Sequence, residues 1–205
     1  MVENVHFIVE EPSMEKALLA LLPRILREVP FEIYTHTGKQ DLLKKLPNRL
    51  ASYSSWLPAS WRLVVICDRD DDDCEQLKAQ LEGIASAAGL PTRTNPFRGS
   101  YKVVNRIAIE ELEAWYFGDW DAVVAAYPRA PSTTPKKAPY RYPDAITGGT
   151  WEAFERVMQK GGYFNSGLLK QEAATLICEQ MIPERNTSPS FKAFYNVLRE
   201  FTSEP

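Results

Sequence analysis

The sequence predicts an α/β fold in which a parallel sheet is flanked by helices. In the first hundred residues, short apolar segments alternate with longer amphipathic ones, which is typical of strands joined by crossover helices. Residues 63–67 are a continuous, largely β-branched apolar run between charged residues, as expected of a strand buried on both faces. The chain has 205 residues, of which 44% are hydrophobic, and this suffices for one core.

Two strand–helix units are expected first. Residues 5–9 form the first predicted strand, and Ser13 is expected to cap the helix that follows it. Pro23 should kink or split that helix, because proline removes an amide donor. A second strand at 31–35 leads into a helix that Pro47 should interrupt in the same way.

Two further strands complete the predicted sheet. The buried strand at 63–67 is followed by a helix from about residue 73 to 88. A fourth strand is expected within 103–109, before a helix over 111–126. Residues 1–126 are therefore predicted to form the α/β core, with a Rossmann-like arrangement of strands.

Residues 127–205 are predicted to pack on this core as an extended loop and a helical extension, so that the chain is a single domain overall. Residues 127–147 are rich in proline and carry no periodicity, which indicates a loop or lid. Three helices are expected after it, at 151–159, at 166–181 and from a cap at Ser188 onward. The aromatic residues at helical spacing in the last helix favour a core or subunit contact.

Composition excludes several classes of protein. The formal net charge of −3 argues against a general nucleic-acid coat, because non-specific binding depends on net positive charge. No apolar run approaches the ~20 residues of a membrane span, and Glu3 and Glu10 stand where a signal peptide needs a basic start and an apolar stretch. The three cysteines lack disulfide or zinc-site spacing. We expect a cytoplasmic protein with reduced thiols and no membrane partner.

The strongest local signal is the acidic run at residues 68–73, which directly follows the buried strand. Ligands of open parallel sheets bind at the carboxyl ends of strands, and clustered carboxylates are best compensated by a hard divalent cation. Asp68 and Asp70 leave the strand on alternate positions and could face one ion, with Asp72 as a further candidate ligand. The alternative is a solvated acidic helix start, which accounts for Asp72 and Asp73 well but for the other two poorly.

Glu10 is a second acidic residue at a strand end. A right-handed crossover can bring the first and third strands together, so Glu10 could stand across from Asp68 and Asp70 and share a Mg²⁺ or Mn²⁺ ion with them. An EF-hand loop from Asp68 is excluded, because it needs Gly at position 73 and Glu at position 79. A Walker A loop is also excluded, since Gly38-Lys39 lacks the earlier glycine and the following Ser or Thr.

A strand that ends in Glu, followed by a later strand that ends in Asp-x-Asp, resembles the Toprim domain of topoisomerases, primases and OLD-type nucleases. More closely, the chain resembles an uncharacterised bacterial family of small Toprim-like proteins, often encoded beside an AAA- or ABC-type ATPase in phage-defence loci. Toprim domains usually have Gly after the first Glu, whereas this chain has Glu11, which could crowd the site or add a carboxylate. The similar segments are 9–13, 38–42, Asp68-x-Asp70 with Cys74, 110–115 with Gly118-Asp119, and 186–191.

The resemblance implies a Mg²⁺- or Mn²⁺-dependent nuclease that acts with an ATPase partner, with Glu10, Asp68 and Asp70 as metal ligands. It also favours Glu113 as an additional site acid and Lys39 as a phosphate contact, although an acidic helix turn and an exposed lysine account for these two as well. One alternative is a non-catalytic subunit that regulates an ATPase or senses nucleic acid. Another is phosphotransfer or phosphatase chemistry on a small phosphorylated substrate. A homo-oligomer is compatible with either.

Basic residues cluster in two segments that contain no acid, residues 91–106 and 127–142. Aromatic residues, Phe97 and Tyr101, are interleaved in the first of them. Such segments can follow a phosphate backbone and stack bases, so we expect local nucleic-acid contact there, with two solvated loops as the alternative. The candidate contacts are Arg93, Arg98, Lys102, Arg106, Lys136 and Lys137.

Overall fold

A computed structural model describes residues 1–203, which form a four-stranded parallel sheet covered by helices. The strands lie in the order β2-β1-β3-β4, and every neighbouring pair is parallel. The predicted α/β class is confirmed, and β1 and β3 are direct neighbours. The strands are β1 (Asn4–Val9), β2 (Phe31–Thr35), β3 (Trp61–Asp68) and β4 (Val103–Ala108).

Eight α-helices accompany the sheet in the described part of the chain, and three short 3-10 turns lie within residues 134–145. The predicted loop at 127–147 is therefore a series of tight turns, with proline in each 3-10 turn. The helices are α1 (Pro12–Leu26), α2 (Lys39–Ser54), α3 (Cys74–Ala87), α4 (Glu113–Gly118), α5 (Trp120–Ala126), α6 (Thr150–Gln159), α7 (Lys170–Gln180) and α8 (Pro189–Thr202).

The sheet divides the interior into two apolar layers. Alternate residues of the central strands point to opposite faces, so Phe7 and Ile66 join one core while Ile8 and Val65 join the other. The first core is closed by α1, α7 and α8, and the second by α2 and α3. Burial on both faces explains the unbroken apolar run of β3. It also leaves the carboxyl ends of the strands as the place where polar side chains can gather.

The start of α1 differs from the prediction. Ser13 was expected to cap this helix, but the helix begins at Pro12 and Glu11 occupies the cap position. Proline is favoured at the first helical position, because its fixed φ suits the helix and its missing amide has no partner there. The Ser13 hydroxyl instead donates a hydrogen bond to the Glu11 carboxylate. The prediction for Ser13 was wrong by two residues.

The two helix-internal prolines do not split their helices. Pro23 lies in the last turn of α1, and α2 runs through Pro47 to Ser54. Both prolines are on the exposed side of their helix, where water can solvate the carbonyl that loses its amide partner. The predicted split of α1 at Pro23 and the predicted interruption of α2 at Pro47 are therefore wrong.

The predicted helix over 111–126 is two helices, α4 and α5, which meet at Asp119. The backbone of Asp119 is not helical, with φ −132° and ψ 71°. Its carboxylate accepts a hydrogen bond of 2.9 Å from the Ile182 amide and is 2.7 Å from the Arg185 guanidinium. This long-range anchor competes with helical geometry and breaks the helix.

The last helix follows the prediction. Ser188 caps α8, with its side chain accepting a 3.2 Å hydrogen bond from the Phe191 amide, and Pro189 opens the helix. Phe191, Phe194 and Phe201 are buried, which confirms that the aromatic stripe is part of the core. In contrast, α7 begins at Lys170, four residues later than the predicted start at 166. No helix of the described residues is both long and apolar enough to cross a membrane.

Candidate functional site

Glu10 and Asp68 meet at the carboxyl edge of the sheet. Glu10 directly follows β1 and Asp68 ends β3, and the two side chains are buried, with exposed fractions of 9% and 6%. The Oε2 atom of Glu10 accepts hydrogen bonds from the Asp68 amide, at 3.0 Å, and from the Cys67 thiol, at 3.2 Å. The parallel register, in which Val9 lies beside Ile66, therefore places both acids at one point of the edge.

Glu113 is the third buried acid of this region, and we call Glu10, Asp68 and Glu113 the acidic cluster. Glu113 opens α4 and is only 1% exposed. Among the described residues, both of its carboxylate oxygens and the Oδ1 atom of Asp68 are buried without a hydrogen-bond partner. Buried polar atoms are normally paired, and leaving a carboxylate unpaired is costly. The ionised cluster is therefore costly unless a proton or a cation neutralises it.

The pKa values of the cluster also show that its ionised forms are costly. The pKa of Asp68 is raised well above its ordinary range, first by burial and then by the charges of neighbouring acids, of which Glu10 has the largest effect. Burial also raises the pKa of Glu113, to about 7. The pKa of Glu10 is raised by burial, although the hydrogen bond from Cys67 opposes this. A positive charge in the cluster would favour the ionised forms.

The remaining predicted ligands are held by Lys39 at the start of α2. The Lys39 ammonium lies 2.8 Å from the carboxylate of Asp70 and 2.6 Å from that of Asp72. It also donates a 2.9 Å hydrogen bond to the Arg69 carbonyl. Burial lowers the pKa of Lys39, but its hydrogen bonds to Asp70 and Asp72 raise it by more, so the ammonium stays charged. Lys39 therefore reaches a phosphate, and the two aspartates an ion, only after this pairing is released.

Asp73 has a structural role. Its side chain accepts a 2.9 Å hydrogen bond from the Gln76 amide and caps α3. This is the arrangement that the helix-start alternative predicted for it. Within the acidic run, therefore, Asp68 belongs to the buried cluster, whereas Asp73 serves the helix that follows.

Lys170 was not predicted as a site residue. Among the charged neighbours of Glu113, it has the largest effect on the pKa of that carboxyl. It opens α7, and its ammonium lies 5.5 Å from the centre of the Trp151 ring. Burial lowers the pKa of Lys170, but Glu113 and the neighbouring acids raise it by more. A lone lysine after Leu168-Leu169 carries no motif, so only the docking of α7 on α1 and α5 could have identified it.

Glu110 and Glu111 connect the cluster to its surroundings. Glu110 is paired with the Arg69 guanidinium at 2.9 Å. Glu111 accepts hydrogen bonds of 3.0 Å from the Thr150 hydroxyl and the Trp151 amide, which anchors the start of α6. Glu110 and Glu113 therefore differ in role, because Glu110 precedes α4 and is ion-paired.

Two of the segments that resemble the Toprim-like family, around Gly118 and Asn186, contact each other and position α4. We call them the clamp. The Asn186 side chain donates a 2.8 Å hydrogen bond to the Trp115 carbonyl and accepts one of 2.9 Å from the Ser188 amide. A Cβ atom on Gly118 would lie 2.0 Å from the Asn186 Oδ1 atom, so glycine is required there. The clamp holds α4, and with it Glu113, at a fixed place beside the sheet.

The chemistry of the cluster suits a hard divalent cation, because its donors are carboxylate oxygens and three of them have no partner. As the side chains stand, however, no group of three or more His, Cys, Asp or Glu within residues 1–203 is arranged so that it could hold a metal ion. Two of the predicted ligands, Asp70 and Asp72, are held by Lys39. A complete ligand set therefore requires side-chain movement.

The predicted nucleic-acid contacts divide into two groups. Arg93 is 2.6 Å from the Glu200 carboxylate, and Lys102 donates to the Pro58 carbonyl. Arg106 is partly buried and donates a 3.3 Å hydrogen bond to the Asn105 carbonyl. These three are engaged by the protein itself. The remaining three are exposed: Arg98, Lys136 and Lys137.

The fold and the cluster define an α/β protein with a Rossmann-like parallel sheet and buried carboxylates at its carboxyl edge. A family model described as a domain of unknown function, DUF4276, matches residues 9–199, and the chain belongs to this family. No curated protein and no solved structure has significant similarity to the chain.

Proposed function

We propose that the chain is a Mg²⁺- or Mn²⁺-dependent nuclease whose site is the acidic cluster. The observation that supports this most is the set of unpartnered carboxylate oxygens on Asp68 and Glu113, buried at the edge of the sheet where parallel α/β proteins bind ligands. A structural ion pair would have satisfied these oxygens, and an apolar core would have excluded them. Their cost to stability is consistent with selection for a function.

The roles of the residues follow from their surroundings. Glu10 and Asp68 would hold the ion, and Asp70 would join them once Lys39 releases it. When bound, the ion neutralises phosphate charge and lowers the pKa of an attacking water. Glu113, with a pKa of about 7, is suited to accept or return a proton near neutral pH. Lys39 and Lys170 flank the cluster and can contact phosphate oxygens of the substrate.

Phosphodiester cleavage is preferred over a small phosphorylated substrate because of the resemblance to Toprim domains in Glu10 and Asp68-x-Asp70. The same resemblance is the basis for proposing an AAA- or ABC-type ATPase partner and a role in phage defence, whereas the proposed cytoplasmic location rests on the cysteine pattern. None of these proposals depends on the geometry of the cluster. The partner is tested by measuring cleavage in the presence of the ATPase.

The experiment is a cleavage assay on single- and double-stranded DNA and RNA with Mg²⁺ or Mn²⁺, with the ATPase added if one is found. Glu10→Gln, Asp68→Asn and Glu113→Gln should each abolish cleavage while the protein stays folded. Glu179→Gln is a matched control, because Glu179 is exposed on α7 away from the cluster, and it should cleave like the wild type. Equal activity in all variants would contradict the proposal.

A second candidate is a non-catalytic subunit that binds nucleic acid or regulates an ATPase. The observation that favours it is the pairing of Asp70 and Asp72 with the Lys39 ammonium, which takes the place of a metal ion. Glu11 also adds negative charge beside Asp68 at the position where Toprim domains have glycine. Metal binding without cleavage, in the presence of the ATPase, would favour this candidate.

A further inference from the structure

The surface formed by one face of α2 and the residues just after its end combines exposed cations with an exposed tryptophan. It lines a groove of about 560 Å³ together with Tyr53, and none of the described residues that line it is acidic. The residues of this surface, which we call the α2 basic face, are Lys44, Lys45, Asn48, Arg49, Ser52 and Trp56. The predicted basic segments did not include any of them.

Trp56 is the apolar end of this face. It is 52% exposed, although large aromatic side chains are usually covered. Its ring is supported from below by Tyr53 and Trp61, whose ring centres lie 5.2 and 5.8 Å away. An aromatic ring held in this way offers a flat and preorganised surface on which a nucleobase can stack.

The cations lie on the turns of α2 next to this ring. Arg49 is held with its guanidinium 4.4 Å from the centre of the Tyr34 ring, which fixes its position. Lys45 pairs with Asp41 at 2.7 Å but keeps 60% of its side chain exposed. Lys44 is exposed as well. Phosphates that follow the helix would meet a positive charge on successive turns.

The other end of α2 is at the candidate site. Lys39, the first residue of α2, contacts Asp70 and Asp72. The helix has 16 residues and is therefore about 24 Å long. At about 3.4 Å per stacked nucleotide, about seven nucleotides would cover this length. A strand seated on Trp56 can thus extend to the start of α2, where Lys39 contacts Asp70 and Asp72 at the edge of the candidate site.

We propose that the α2 basic face binds a single strand of nucleic acid, with a base stacked on Trp56 and phosphates on Lys44, Lys45 and Arg49. A duplex does not suit this surface, because its bases are already stacked and unavailable to the indole ring. The inference rests on the proposed nuclease function and deepens it by naming single-stranded nucleic acid as the substrate class. It also assigns the binding surface to α2 rather than to residues 91–106.

The test is a fluorescence anisotropy titration of a labelled 12-nucleotide oligothymidylate in EDTA, which prevents metal-dependent cleavage. Trp56→Ala should weaken binding about 5- to 150-fold, and Trp56→Tyr should recover most of it, since a phenol ring still stacks. The double variant Lys44→Gln/Lys45→Gln should reduce the slope of log affinity against log salt by about 1.4. Lys160→Gln/Lys192→Gln removes the same charge from two exposed lysines elsewhere and should keep the wild-type slope.

The inference is overturned if the wild type does not bind the oligothymidylate, or binds a duplex of equal length more tightly. It is also overturned if both double variants have the same salt slope, in which case the face is a solvated helix or a docking surface for an acidic protein. Circular dichroism melts verify that Trp56→Ala is folded. Because cleavage is measured separately with metal, a protein that binds here but does not cut would contradict only the proposed function.

Discussion

Replacing Glu113 with Gln should change how the stability of the protein depends on pH. The ordinary pKa of this carboxyl is 4.5, and burial raises it to about 7 in the folded chain. An acid with a higher pKa in the folded state than in the unfolded state destabilises the fold as pH rises between the two values. At about 1.4 kcal/mol for each tenfold difference in proton affinity, the full loss by pH 8 is about 3 kcal/mol.

Gln keeps the size of the side chain but has no charge to develop. The free energy of unfolding of Glu113→Gln, minus that of the wild type, should therefore be about 2–3 kcal/mol larger at pH 8 than at pH 5. Any penalty from the new buried amide is the same at both pH values and cancels in this difference. The measurement is urea denaturation at 25 °C in EDTA, with Glu179→Gln as the control that should show no such difference.

A difference in the free energy of unfolding between Glu113→Gln and the wild type that does not change with pH would contradict this expectation. Glu113 would then be ionised at its ordinary pKa, which requires solvent or a cationic partner at its carboxylate. Adding Mg²⁺ at pH 8 offers a second check. The ion should stabilise the wild type more than Glu113→Gln, because only the wild type has the third carboxylate to neutralise.

Two further predictions concern the clamp and the acidic run. Gly118→Ala should lower the free energy of unfolding by about 1–3 kcal/mol in a urea titration, since its Cβ would overlap Asn186, whereas Gly83→Ala, where a Cβ meets nothing within 4 Å, should not. Asp70→Asn should lose most cleavage activity while Asp73→Asn should be nearly silent, because Asn caps a helix about as well as Asp. Full cleavage by Asp70→Asn would remove that residue from the ligand set.

The parts of the site that lie on strands could be predicted from the sequence. Parallel strands end at a common edge, so a Glu after β1 and an Asp at the end of β3 are brought together by topology alone. The buried run 63–67 was recognisable because burial on both faces leaves no polar position. Asp73 was recognisable as a cap because the chemistry of helix starts is local.

The parts that depend on tertiary packing could not. Lys170 reaches the cluster only because α7 docks on α1 and α5, and nothing in its local sequence marks this. The break at Asp119 results from its anchor to Ile182 and Arg185, which are more than sixty residues away. The engagement of Arg93 by Glu200 has the same origin. A basic residue in a sequence pattern is not free until its partners from distant elements are known.

If the acidic cluster holds a divalent cation, anomalous diffraction from a crystal soaked in Mn²⁺ should locate the ion there. We expect a manganese peak in contact with carboxylate oxygens of Asp68 and of Glu10 or Glu113, at about 2.0–2.6 Å. The peak should vanish in Asp68→Asn and persist in Glu179→Gln. Absence of a peak at the cluster in the wild type, or a peak confined to the exposed residues 70–72, would contradict the claim.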